Sequence, residues 1–82
     1  MRDILLVDAA WEGVDPGTEA LLDEWLVRES DRVDAGQVVA RVVLVKATLE
    51  IEAPAKGAIE KILVPAEQTF ARGAVLAVMR EE

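Results

Sequence analysis

The 82-residue chain carries one apolar skeleton twice. Laying Gly36 over Gly73 superposes LLDEWLVRESDRVDAGQVVARV on AIEKILVPAEQTFARGAVLAVM with no gap, an offset of 37 residues. Leu22 then meets Ile59, Trp25 meets Ile62, Leu26 meets Leu63, and Val27 meets Val64. Val33 falls on Phe70, Val38 on Val75 and Ala40 on Ala77. Solenoids need three or more stacked copies, and this length holds only two. The expectation is therefore two interlocking halves related by a pseudo-twofold axis. They should form a single domain spanning 1–82, because so short a chain builds one core.

Within each half the apolar residues keep strand rhythm. Leu49, Ile51 and Ala53 alternate with Glu50 and Glu52, the period of two of a sheet with one wet face. Turn signals at Asp15-Pro16-Gly17, Asp34-Ala35-Gly36, Ala53-Pro54, Lys56-Gly57 and Ala71-Arg72-Gly73 recur roughly every 8 to 12 residues, as in an all-β sandwich or barrel. TEALLDEWLVRE can be drawn as a helix capped by Thr18. Its repeat partner GAIEKILVPAE carries Gly57 and Pro65, poor helix residues both, so the pair reads as strand. A first strand is expected at Asp3 to Val7 and a loop at residues 8–18.

Composition removes whole classes of function. No cysteine and no histidine are present, which excludes thiol nucleophiles, Cys/His metal sites and an imidazole base. No nucleophile–base pair stands out, so the chain is expected not to be an enzyme. The net charge of −7 opposes nucleic acid and anionic membrane surfaces as partners. Without a signal-like or membrane-length apolar run, the expected location is the cytoplasm. The Asp31/Asp34 and Glu81/Glu82 clusters read as solvated surface.

The stretch VVLVKATLEIEAP sets one lysine, Lys46, inside a run of strand formers. A lysine resists burial in the middle of a sheet, so the chain is expected to turn near Leu44 to Ala47 and expose Lys46 at a hairpin tip. That tip lies midway between the two copies. Taken alone, Lys46 reads as a gatekeeper against edge-to-edge pairing or a solvated turn residue.

From Ala20 to Met79 these residues resemble the lipoyl domains of the biotinyl/lipoyl superfamily. WLVRESDRVDAGQVV and VLVKATLEIEAPAKGAIEKILV follow its pattern, with Lys46-Ala47 on the modified lysine and the alanine after it. Gly36 and Gly57 stand ten residues before and eleven after Lys46, as in lipoyl domains. The resemblance implies a flattened β-barrel of two small antiparallel sheets with quasi-twofold symmetry, and lipoate joined by an amide to Lys46. Leu44, Val45, Ala47, Gly36 and Gly57 would be the turn and recognition residues. The implied role is a free-standing, monomeric carrier whose swinging arm moves acyl groups and reducing equivalents. Its partners would be lipoyl-loading enzymes and the 2-oxo acid decarboxylase, acyltransferase and dihydrolipoamide dehydrogenase subunits of a multienzyme complex, joined noncovalently.

Three departures qualify the resemblance. Val43 and Val45 replace acidic residues before the lysine, giving a VKA tip. Ser30 and Glu67 stand where turn glycines are usual; positive φ there would cost about 1 kcal/mol each, so a different turn geometry is expected. Ala20 replaces a glycine whose counterpart Gly57 is kept. A biotin carrier is the second reading, although its lysine usually lies between methionines rather than Val45 and Ala47. An unmodified interaction module of the same fold is the third. Trp25 is expected in the core by its match to Ile62, whereas Trp11 has no repeat partner and is expected to pack over the open end of the barrel.

Overall fold

The computed structural model describes residues 1–15 and 17–82. Eight strands form among these residues: β1 (Arg2–Ile4), β2 (Ala20–Trp25), β3 (Arg32–Val33), β4 (Val38–Leu44), β5 (Ala47–Glu52), β6 (Gly57–Ile62), β7 (Thr69–Phe70) and β8 (Ala77–Glu81). They make two four-stranded antiparallel sheets, ordered β1-β8-β6-β3 and β5-β4-β2-β7. The expected all-β flattened barrel is what folds. TEALLDEWLVRE supplies β2 rather than a helix.

The 37-residue offset reappears in the register. Leu22 pairs with Val42 and Ile59 with Met79; Trp25 pairs with Ala40 and Ile62 with Ala77. Even the bulges repeat, between Leu22 and Glu24 in β2 and between Ile59 and Lys61 in β6. The halves exchange their short strands: β3 joins β6, and β7 joins β2. The joints are hydrogen bonds from Ser30 N to Ile59 O (2.7 Å), Ile59 N to Asp31 O (2.9 Å) and Leu22 N to Gln68 O (2.9 Å). Folding one half alone would leave these bulge groups without partners, so the interlock follows from backbone satisfaction.

Ser30 and Glu67 do have positive φ, 77° and 71°, correcting the expectation of another turn geometry. Each is the third residue of a four-residue turn, Arg28–Asp31 and Pro65–Gln68, closed by the amides of Asp31 and Gln68. Positive φ there aims the Ser30 and Glu67 amides at the carbonyls of Ile59 and Leu22. Two bonds across the joint hold a conformation the side chains disfavour. Gly36 and Gly73 take the same place in the turns Asp34–Gln37 and Ala71–Ala74, with φ of 83° and 87°.

Gly57 is a strand residue rather than part of a turn: it begins β6, paired with Val33 and Glu81. It is glycine because a β-carbon there would collide with the Arg80 carbonyl. Ala20, at the equivalent place in β2, keeps its methyl and is fully buried.

The core lies between the sheets, with Leu22, Ile59, Leu76, Met79, Val39 and Val42 fully buried. Each such side chain contributes roughly 1.5 to 3 kcal/mol through burial. Trp25 packs against this core from its rim rather than within it, because its indole Nε1 donates to Val64 O at 2.8 Å. The first strand stops at Ile4, short of the expected Val7, and a 3-10 turn (Asp8–Trp11) forms in the expected loop. Within the Asp15-Pro16-Gly17 turn, Pro16 lies outside the described residues.

Candidate functional site

A two-residue loop, Val45 and Lys46, joins β4 to β5 across the closing pair Leu44 and Ala47. Lys46 is exposed, and its amine is in no ion pair among the described residues. Tight loops between right-twisted strands need positive φ at their first residue, and Val45 has φ 61°. A β-branched residue there bears about 1 to 2 kcal/mol of strain. Leu44, buried at the end of β4, anchors the loop from below, while Val45 is 65% exposed beside the lysine. The loop's two-residue length could have announced the strain at Val45; residue type alone did not.

The tip is supported from beneath. Ala20 lies one residue beyond the Leu21–Val43 pair, level with Leu44, and pairs on its other side with Phe70. Trp11, 3% exposed, sets its ring edge-on to Phe70 with centroids 6.1 Å apart. It therefore closes the end of the core under the hairpin, the packing expected of it. Its indole Nε1 has no hydrogen-bond partner among the described residues. Arg72 fastens the Trp11 turn through paired bonds of 2.7 Å to both Asp8 oxygens. Those bonds hold the Asp8 carboxyl below its ordinary value.

The other expected site residues sit elsewhere. Gly36 donates to Ala53 O (2.9 Å) at the base of the β4–β5 hairpin, and Gly57 lies beside Val33. The seven residues of β4, about 20 Å of strand, separate that base from the tip. Glu50 and Glu52 are exposed on β5. Asp31 accepts from the Arg28 amide, while Glu81 and Glu82 pair with Arg2 and Arg32. No cluster of metal-binding side chains occurs among the described residues, and no helix among them is long and apolar enough to cross a membrane.

The fold is a pseudo-twofold β-sandwich that holds Lys46 out on a hairpin tip. Residues 14–79 match the Biotin_lipoyl family model, described as biotin-requiring enzyme, and the chain belongs to that family. It is similar to the dihydrolipoyllysine-residue acetyltransferase component of pyruvate dehydrogenase complex from Zymomonas mobilis, 46% identical over 65 residues, and from Rhizobium meliloti, 42% identical over 65. Each match covers 78% of this chain and 15% or 14% of the relative. A pyruvate dehydrogenase E1 component subunit beta from Rhizobium meliloti is 44% identical over 48 residues, covering 58% of this chain and 10% of its own. The chain thus spans about one seventh of the length of the acetyltransferase relatives.

Proposed function

We propose that the chain is a non-catalytic lipoyl carrier domain, with lipoate joined by an amide to Lys46. The observation that carries the reading is the exposed Lys46, in no ion pair among the described residues, at the two-residue tip of the β4–β5 hairpin. An amide at Nζ needs a primary amine that a loading enzyme can surround, and the tip offers one on an exposed stem. Leu44, Val45 and Ala47 hold that stem at the end of a rigid hairpin, while Gly36 and Gly57 let the base of the barrel close. Bound lipoate supplies a dithiolane that carries acyl groups and reducing equivalents. The domain itself supplies presentation and a high effective concentration of its cargo.

The relatives named for dihydrolipoyllysine and for a pyruvate dehydrogenase complex support a 2-oxo acid dehydrogenase complex as the working context. There the loaded domain would visit a decarboxylase, an acyltransferase and a dihydrolipoamide dehydrogenase. The hairpin presents Lys46 equally well in a free-standing cytoplasmic monomer and within a longer chain.

Intact mass of the protein from lipoate-replete cells tests the reading. A lipoyl adduct that disappears in Lys46→Arg supports it; an unmodified mass in both proteins defeats it. A biotin adduct would establish the second reading instead.

A further inference from the structure

One open seam of the barrel lies between β1 and β5. Among the described residues β1 pairs only with β8 and β5 only with β4, and both line one groove, so two unpaired strand edges face each other. A groove of about 500 Å³ runs between them. Its floor is apolar and buried, made by Ile4, Leu6, Ile51 and Ala53. On the β1 side Leu5 and Val7 stand exposed at the rim.

The charge at this seam is one-sided. Asp3, Glu50 and Glu52 line the groove and are in no ion pair among the described residues. The one cation there, Arg2, is held by Glu81 at 2.8 Å. In the repeat register Asp3 answers Glu50, so both rims carry a carboxylate. Two acidic rims repel a second copy of this chain. They attract a strand of opposite charge.

We propose that this seam binds an extended, lysine- or arginine-bearing peptide segment of a partner chain, added as a strand to the free edges. Unpaired strand edges give such a segment its backbone hydrogen bonds. The period of two then lays alternate apolar side chains on the Ile4–Ile51 floor and turns the basic ones toward Glu50, Glu52 and Asp3. The site lies on the barrel wall and does not depend on Lys46 being modified.

Titrating the 15N-labelled full chain with acetylated and amidated Lys-Val-Lys-Val-Lys-Val tests this. The expected result is saturable amide shifts confined to residues 3–7 and 49–53, with affinity falling as salt rises. The double variant Glu50→Lys/Glu52→Lys should bind on the order of tenfold more weakly or worse. The same peptide N-methylated at alternate amides keeps its charge and loses its ladder bonds, and it should not bind. Absent shifts, shifts scattered over the acidic surface, or equal binding of the N-methylated peptide would each overturn the proposal.

Discussion

The carbonyl of Arg80 occupies the space that a β-carbon on Gly57 would need. Both groups belong to paired strands, β6 and β8, so neither retreats without breaking the ladder. Gly57→Ala should lower unfolding stability by about 3 kcal/mol, the upper range for overpacking. Ala20→Gly, the reverse change at the equivalent place, should cost only about 1 kcal/mol. Urea unfolding followed by circular dichroism compares them, and equal losses would refute the steric account.

Ser30 and Glu67 hold a backbone conformation that glycine adopts without penalty. Ser30→Gly and Glu67→Gly should each raise stability by about 1 kcal/mol. Their amides bond to different strands, Ile59 and Leu22, so the double variant should gain about 2 kcal/mol. Melting temperatures of the four proteins check the sum.

The two indoles should respond in opposite ways to losing their N–H. Trp25→Phe removes a bond to Val64 O and should cost about 1 kcal/mol beyond the lost packing. Trp11→Phe removes a buried donor that has no partner among the described residues, which offsets part of the lost volume. Trp11→Ala should still cost about 4 kcal/mol through the cavity under the hairpin. Denaturation midpoints rank the three.

Asp8 is an exposed carboxyl lowered by its hydrogen bonds to Arg72. Because its folded value lies below the unfolded one, near 4, the pairing stabilises above that pH. The contribution is lost as pH falls through the lowered folded value. Carboxyl NMR should show Asp8 titrating at higher pH in Arg72→Ala than in the parent. The stability difference between the parent and Asp8→Asn should shrink below about pH 4.

The repeat made the architecture legible, because side chains such as Leu22 and Ile59 repeat only where the backbone around them repeats. Lys46 was legible for a related reason: a hydrated cation among strand formers has nowhere to go but a turn. The geometry at Ser30, Glu67 and Val45 was not, since residue preferences argued against positive φ and only the joint bonds and loop length demand it. Trp11 lacked a repeat partner, so its ring contact with Phe70 appears only when the loop after β1 is folded over the end of the core. Gly57 was read as a turn residue, while the close approach of Arg80 comes from a strand 23 residues further on. The open seam follows from β1, the counterpart of β5 in the repeat register, pairing only with β8 among the described residues, so that its outer edge stays free beside β5.

The joining of β8 to β1 also fixes a direction in the molecule. In the repeat register the loop Val45–Lys46 corresponds to the gap between Glu82 and Met1, which β1–β8 pairing brings side by side. Glu82 bonds to Lys56 and pairs with Arg32, beside the turn that starts β4 rather than the tip that ends it. One pole thus holds both chain ends and the other the lysine: a tag or surface fastened at either end of the described chain sits at the pole away from Lys46.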